Sequence, residues 1–509
     1  MSRSDRIALL ISFLAVLAAY FIHDRIFERL AHLEDEMAYL WQAQVIAEGR
    51  LTLPSPTYPK SFLVPFVVDY NGQRFGKYPP GWPVVLAAGE RLGARGLINP
   101  LLAGLGVWLT YQLGKRVFGE TVALLAALLT LTSPFFLLNS GSLLSHPLGL
   151  VLSAAFALAW LDGFCTPGAT RRWLPALAAG GSLGLLALTR PLTALAIGLP
   201  FGLHGLYLLA RGDRLTRRLL ALTGIVALLT ASLLFVWQYA VTGDPMLNPY
   251  TLWWSYDKIG FGPGYGHAEG GHTLNQAWIN TRFNIYVGRF DLFGWAGYSW
   301  IFLPFGLIAI LRDRNWRALL PVSVFASLFV TYMAYWIGAW LFGPRYYYEG
   351  LYSLTLLSAA GIALLAGWPT RPGKPFPNYS GWRKVQPLAA TVLLACLLAV
   401  NLLFYLPPRL QMMFGLYGVQ RAYLEPFQSP NIQELAPALV IVHTQGGWIS
   451  YGRLLELQTP FLDTPFIFVL SRGPEVDAAI ALQFTDRKVY HYYPTAAPDT
   501  FYSFRRIEQ

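Results

Sequence analysis

Long apolar runs separated by short polar connections make up most of the chain. Eleven of these runs approach or exceed the roughly 18 residues that a helix needs to cross a bilayer core. We therefore expect residues 1–406 to form an all-α polytopic membrane protein with about eleven transmembrane helices. The predicted spans are 7–23, 95–114, 118–138, 145–163, 173–190, 191–210, 217–240, 295–311, 317–338, 348–367 and 386–406.

The pattern changes after residue 406. Short β-branched and aromatic runs alternate with Gly, Pro and Asp turns, and a helical pattern lies near 476–484. This combination predicts a small α/β domain over residues 407–509, whose role the sequence does not indicate. The runs predicted to be strands are 438–443, 466–470, 488–493 and 501–504.

The basic residues are concentrated in the short connections. The chain is 55% hydrophobic and 13% charged, with a net charge of +11. Such a charge would suggest nucleic acid as the partner of a soluble protein, but Lys and Arg between membrane spans favour cytoplasmic loops. We therefore expect no nucleic-acid partner, and we expect the N-terminus and these loops in the cytoplasm. The basic connections are 115–116, 171–172, 211–218, 312–317 and 371–384.

The longer polar segments then fall on the other side of the membrane. They are a first outer loop at 24–94, a second outer loop at 241–294, and a tail at 407–509. The first apolar run lacks a small-residue cleavage site, so we expect a retained helix rather than a signal peptide. The two cysteines are far apart and support neither a disulfide framework nor a metal cluster. These features predict a multi-pass protein of the cytoplasmic (inner) membrane, in contact with its lipids, with an extracytoplasmic tail.

Three consecutive acids at 34–36 open an amphipathic segment that ends at Gly49. Asp35, Tyr39 and Gln42 share one face of the predicted helix, so Asp35 can face a cavity while the apolar face packs elsewhere. Acids also favour a helix N-terminus electrostatically, and the residues alone leave both roles open. The apolar stripe consists of Leu33, Met37, Leu40, Trp41 and Val45.

Two further motifs place a cation beside proline and aromatic residues. The run 76–83 predicts a rigid turn that holds Lys77 near a phosphate at the lipid surface, although a turn without a ligand is the simpler reading. At a predicted outer helix boundary, Arg345 precedes Tyr346. A guanidinium there pairs well with phosphate, while snorkelling to the interface is the alternative.

The order of these motifs resembles the GT-C glycosyltransferases. One helix is followed by Asp-Glu-x-x-Tyr at 35–39 and Lys-x-Pro-Pro at 77–80 in the same outer loop, and Arg-Tyr at 345–346 follows late in the chain. The order is most similar to the branch with protein O-mannosyltransferases, lipid A aminoarabinose transferases and galacturonosyltransferase-like bacterial relatives. The resemblance spans roughly residues 5–365 and is strongest over 30–85.

The resemblance implies a GT-C fold and an enzyme that moves a sugar from a polyprenyl-phosphate donor to an envelope acceptor, whether lipid, glycan or protein. It implies that Asp35 is catalytic and that Lys77 lies near the donor phosphate. With one reacting carboxylate acting as general base, direct displacement would invert the anomeric centre. No cofactor is required. The residues expected to bind substrate beside these are Glu36, Tyr39, Tyr78, Arg345 and Tyr346.

Two stretches depart from the family pattern. Relatives often carry an acid before a Pro-Leu pair at the start of the fourth helix, where this chain has His146. We expect His146 to bind substrate, with capping of the helix as the alternative. In the glycine-rich stretch 260–272, the side chains of His267, Glu269 and His272 are of the types that bind zinc. Helical ligand spacing is not available there, so we favour His267 and His272 as part of a substrate loop over a divalent metal site.

Two other classes of protein remain open on the sequence. The main alternative is a transporter or flippase for lipid-linked glycans, although the polar segments lie on one face and no inverted repeat is evident. A non-enzymatic scaffold of an envelope assembly complex, with the tail as its interaction module, is the third hypothesis.

Overall fold

The computed structural model describes residues 2–166, 173–377, 381–444, 448–494 and 503–506. Most of these residues are helical. The α-helices are α1 (Arg3–Phe21), α2 (Glu34–Ala47), α3 (Gly81–Arg91), α4 (Arg95–Val117), α5 (Glu120–Thr132), α6 (Pro134–Gly141), α7 (His146–Trp160), α8 (Trp173–Thr189), α9 (Pro191–Arg211), α10 (Arg214–Thr242), α11 (Tyr250–Trp253), α12 (Leu274–Asp291), α13 (Leu303–Arg312), α14 (Leu319–Tyr332), α15 (Leu351–Leu365), α16 (Val385–Ala399), α17 (Leu406–Met413), α18 (Glu425–Gln428), α19 (Pro430–Gln433), α20 (Ile449–Gly452) and α21 (Pro474–Ala481).

The apolar helices account for the membrane part of the chain. By length and hydropathy, six helical segments of the described chain can cross a membrane, or seven if one bent pair is counted. Three shorter apolar helices lie at Trp173–Thr189, Leu303–Arg312 and Trp316–Tyr332. The protein is therefore an integral membrane protein, while the count of eleven spans stays a prediction. The predicted basic loop at 171–172 lies outside the described residues.

The predicted span 118–138 is two helices rather than one. Helices α5 and α6 meet at Ser133 with a bend of 59°. The Ser133 side chain accepts a hydrogen bond from the Phe136 N–H, and Pro134 follows at the first helical position. Ser at an N-cap followed by Pro is a local signal for a new helix start, and this signal explains the break.

The first outer loop is folded against the membrane helices. After α2 come three antiparallel strands, β1 (Leu53–Pro54), β2 (Val67–Tyr70) and β3 (Gln73–Gly76), in the order β1-β3-β2. Helix α3 begins at Gly81, where an added Cβ would lie 2.7 Å from the carbonyl oxygen of Leu188. Only glycine fits this close approach, which brings the Lys77 turn onto the end of α8.

The tail contains a four-stranded sheet, and three of its strands lie where the sequence predicted them. The fourth overlaps the predicted run 501–504 at residues 503–504, and residues 501–502 lie outside the described residues. The strands are β4 (Ala438–Val442), β5 (Phe466–Leu470), β6 (Lys488–Tyr493) and β7 (Ser503–Arg506), in the order β5-β4-β6-β7. Strand β4 is parallel to both β5 and β6, and β7 is antiparallel to β6. Strands β4 and β5 are buried along their whole length, as expected for parallel strands covered on both faces.

Candidate active site

A cavity of about 960 Å³ lies between residues of the 24–94 loop, the 241–294 loop and the adjoining ends of the apolar helices. Its size is at the upper end of the volumes usual for small-molecule sites. The structure brings into this one cavity most of the residues that the sequence predicted to be functional. Those that line it are Asp35, Tyr39, Lys77, Tyr78, His146, Arg345 and Tyr346.

The Asp35 carboxylate is held at both oxygens. Tyr78 donates its hydroxyl proton to Oδ1, and the Arg345 guanidinium donates from Nη2 to Oδ2 over 3.1 Å. Burial raises the pKa of Asp35, but Arg345, Tyr78 and Lys77 together outweigh it and hold that pKa below its ordinary value. The Asp35 carboxylate is therefore ionised at neutral pH and faces the cavity.

Lys77 lies in an aromatic cage beside a second carboxylate. Its Nζ is 3.3 Å from Oδ2 of Asp257 and 3.9 Å from the ring centroid of Phe66. The rings of Tyr250 and Trp254 lie 4.8 and 4.9 Å away. Burial lowers the pKa of the Lys77 ammonium, and Asp257 offsets this in part. Cation–π contacts with these rings hold the Lys77 ammonium in the wall of the cavity.

His146 contacts a carboxylate that comes from another part of the chain. Its Nδ1 is 3.0 Å from Oε1 of Glu349, and Arg190 Nε lies 2.9 Å from the same oxygen. Arg190 also donates to the hydroxyls of Ser145 and Tyr332. His146 therefore shares the Glu349 carboxylate with Arg190.

Sequence reasoning missed Asp257, Arg190 and Glu349. Arg190 stands between two apolar spans on the predicted outer side, against the usual distribution of basic residues. A charged residue inside or beside a span is a functional-site signal by default, and this signal would have singled out Arg190. Asp257 stands in no recognisable motif, and its pairing with Lys77 depends on the folding of the second outer loop.

Glu36, which we expected to bind substrate, does not line the cavity. Its Oε2 accepts the backbone N–H groups of His32 and Leu33 at 2.8 and 2.9 Å. Its Oε1 accepts the N–H of Leu143 at 2.6 Å. These N–H groups include one at the start of α2, which has no partner within the helix. We therefore assign Glu36 a structural role: it fixes the start of α2 on the loop before α7.

The histidines of the glycine-rich stretch, His267 and His272, also do not line the cavity, and their contact with substrate stays a prediction. The His272 ring stacks on Phe261 and its Nε2 is 2.9 Å from the Met333 carbonyl oxygen. The His267 ring packs against Trp336, which does line the cavity. Within the described ranges, no three His, Cys, Asp or Glu side chains are grouped so as to hold a metal ion.

Comparisons with known proteins connect this geometry to one fold. Residues 86–237 match the family model described as dolichyl-phosphate-mannose-protein mannosyltransferase. No curated protein matches the sequence.

Solved structures match over nearly the whole chain. ArnT from Cupriavidus metallidurans bound to undecaprenyl phosphate is 18% identical, with a TM-score of 0.60 over 97% of this chain and 93% of that one. The same protein in the apo state is 17% identical, with a TM-score of 0.59 and the same coverage. The archaeal oligosaccharyltransferase AglB from Archaeoglobus fulgidus, in complex with an inhibitory peptide and a dolichol-phosphate, is 13% identical, with a TM-score of 0.54 over 96% of this chain and 69% of that one. The chain therefore has the GT-C fold, of the type seen in these membrane glycosyltransferases.

Proposed function

We propose that this protein is a membrane glycosyltransferase that moves a sugar from a polyprenyl-phosphate donor to an envelope acceptor on the extracytoplasmic side. One observation carries the proposal: an ionised carboxylate, Asp35, and two cations, Lys77 and Arg345, meet in one large cavity. Solved structures of the same fold hold undecaprenyl phosphate or dolichol-phosphate, which supports a donor of this class.

The two cations supply what the donor phosphate needs. The planar guanidinium of Arg345 matches two phosphate oxygens, and Lys77 adds a compact charge. Arg345 pairs with Asp35 in the structure. An arriving phosphate competes with Asp35 for Arg345, and this exchange frees Oδ2 of Asp35 while Tyr78 continues to hold Oδ1.

The reaction is a single displacement at the anomeric carbon. The acceptor hydroxyl oxygen forms a bond to this carbon as the bond from the carbon to the phosphate oxygen breaks, and the electron pair leaves with polyprenyl phosphate. Arg345 and Lys77 stabilise the charge that develops on the phosphate. Asp35 takes the proton of the acceptor hydroxyl as general base. One displacement inverts the anomeric configuration.

The remaining cavity residues orient the sugar and the acceptor. Tyr39 and Tyr346 offer hydroxyls and ring faces, and Arg190 positions His146 through Glu349. We place the N-terminus in the cytoplasm and the tail outside the inner membrane, so that the cavity opens on the extracytoplasmic side.

Transfer from a radiolabelled polyprenyl-phosphate sugar in membranes that contain this protein tests the proposal. Label that moves from the carrier to a lipid, glycan or protein acceptor shows that the sugar–phosphate bond is broken. A transporter or flippase would move the intact carrier-linked sugar across the bilayer without breaking that bond. Label that stays on the carrier in the presence of a full envelope extract would reject the proposal.

A further inference from the structure

Helix α2 has a cavity on each of two faces. The face that carries Asp35 and Tyr39 lines the cavity described above. The opposite face lines a second cavity of about 260 Å³. The α2 residues that line the second cavity are Met37, Leu40, Trp41 and Gln44. They stand at the spacing i, i+3, i+4 and i+7, which is one helix face, and three of them belong to the apolar stripe.

The tail supplies the opposite wall of this second cavity. Residues 452–462 face α2 across it, and strand β1 and Phe62 of the first outer loop close its side. Met37 and Val419 line both cavities. A ligand that extends past these two side chains would therefore reach from the second cavity towards Asp35.

Three polar atoms in this wall are buried without a hydrogen-bond partner among the described residues. They are the Ser55 hydroxyl oxygen, Arg74 Nε and Arg453 Nε. A buried donor or acceptor with no partner costs stability, and such groups are normally satisfied in native proteins or by what they bind. The Ser55, Arg74 and Arg453 side chains line the cavity, and an acyl chain offers them no hydrogen bond, whereas the hydroxyl groups of a ligand do.

The charges in the wall are nearly balanced. Asp69 lies 3.8 Å from Arg74 Nε, and Glu456 is bound by Arg95. The Arg453 guanidinium lies 3.7 Å from the ring centroid of Tyr423. This balance favours a ligand rich in hydroxyls over a multiply charged one.

We infer that this second cavity binds a saccharide ring of the acceptor, next to the hydroxyl that receives the new sugar. A pyranose ring has an apolar face of C–H groups and a rim of hydroxyls. The Trp41 indole and Leu40 offer an apolar surface to the face, and Gln44, Ser55 and the two arginines offer hydrogen-bonding groups to the rim. The inference rests on the proposed function, since it assigns the cavity to the acceptor of that reaction.

Saturation-transfer NMR on the purified full chain in lipid nanodiscs tests this assignment. The probes are methyl α-glucopyranoside, methyl α-galactopyranoside and methyl α-mannopyranoside. We expect transfer to the ring protons of at least one of them with the wild type. Gln44→Trp fills the cavity from a half-buried position of α2, so the signal should be lost. Gln44→Ala, which only shortens the side chain, should weaken it and guards against misfolding of the larger variant.

The matched control is Glu48→Trp, which adds the same indole one turn later at an exposed position outside the cavity and should keep the signal. Added undecaprenyl phosphate should leave the wild-type signal unchanged. The inference is overturned if no probe gives a signal, if the signal survives in Gln44→Trp, or if undecaprenyl phosphate displaces it. Failure of the proposed function would appear in the sugar-transfer assay instead, on which this binding measurement does not depend.

Discussion

Each of the two cations predicted to hold phosphate is already paired with a carboxylate. Lys77 pairs with Asp257 and Arg345 with Asp35. A cation held at low exposure by an acid is kept charged and in place, so the cavity is organised before the donor arrives. It follows that the donor phosphate replaces a carboxylate as the partner of a cation. This exchange affects the affinity for the donor and the pH dependence of turnover.

Lys77→Met should weaken donor binding as well as turnover. The substitution keeps the length of the side chain but removes the charge that faces the phosphate. It also leaves Asp257 without its cationic partner, while Tyr335 and Trp336 still donate to Oδ1 of Asp257. We expect donor affinity to fall by about thirtyfold or more, since truncating one member of a buried charge pair costs about 2 kcal/mol or more. Lys60→Met, at an exposed lysine in the same outer loop, is the control. An unchanged Kd for the polyprenyl-phosphate donor would remove Lys77 from the phosphate site.

The acid limbs of the two pH profiles should differ. In the free protein Arg345 and Tyr78 hold the pKa of Asp35 below its ordinary value, so Asp35 stays ionised to low pH. Once the phosphate binds Arg345 and adds its own negative charge, the pKa of Asp35 rises. The acid limb of kcat, which reports the bound state, should therefore lie at higher pH than that of kcat/KM for the donor. Coinciding limbs would show that Arg345 does not leave Asp35.

The cavity residues that the sequence predicted stand in short local motifs, whereas those that it did not predict depend on partners far away in the chain. Asp35, Lys77 and Arg345 stand in short motifs whose order along the chain was informative. Glu349 and Asp257 act through partners that are about 180 to 200 residues away in sequence, and nothing local marks such pairs. The sequence position of Glu36 beside Asp35 does not show that its carboxylate accepts three backbone N–H groups and does not line the cavity.

Helix α2 shows how far local sequence determines an element. The amphipathic pattern predicted a helix from the acids at 34–36 to Gly49, and the structure has Glu34–Ala47 with Gly49 at φ +73°. A glycine in this conformation ends helices because other residues are strained there. The packing of the two faces was not predictable, since each faces a cavity formed by distant segments.

Glu36→Gln should destabilise the protein with little direct effect on chemistry. An amide offers one acceptor oxygen and two N–H donors in place of a carboxylate that accepts three backbone N–H groups. At least one buried N–H is left unpaired, which costs about 1–3 kcal/mol. Thermal unfolding in detergent measures the loss, and Glu34→Gln is the control because Glu34 lines the cavity. Equal Tm values for both variants and the wild type would contradict the structural role of Glu36.

Across the whole molecule, the long polar segments of the chain lie together at one end of the apolar helices. The first outer loop, the second outer loop and the tail all contribute residues to the two cavities. The sequence predicted this asymmetry because basic loops and long loops alternate along the chain. It did not predict that the tail closes a cavity against α2, because strand and turn patterns describe a sheet but not the surface it meets.

The orientation of the chain predicts which positions water-soluble thiol reagents reach from outside. In a chain whose two native cysteines are replaced by alanine, single cysteines at Asn71, Glu269 and Asp486 should be labelled in intact cells. Cysteines at Arg214 and Phe376 should be protected until the membrane is opened. All five positions are exposed, so burial does not explain protection. The reverse pattern would place Asp35 and both cavities in the cytoplasm.

Turnover of Asp35→Asn against wild type tests the central claim most directly, with the purified full chain, a labelled polyprenyl-phosphate donor and an envelope extract as acceptor. Asn keeps the shape of Asp but cannot take a proton from the acceptor hydroxyl, so kcat should fall by about 10² or more while donor binding is retained. Glu34→Gln, the neighbouring acid in the same cavity, should keep near-normal turnover. Near-normal turnover of Asp35→Asn would show instead that Asp35 only begins a helix, and the account of this site would be wrong.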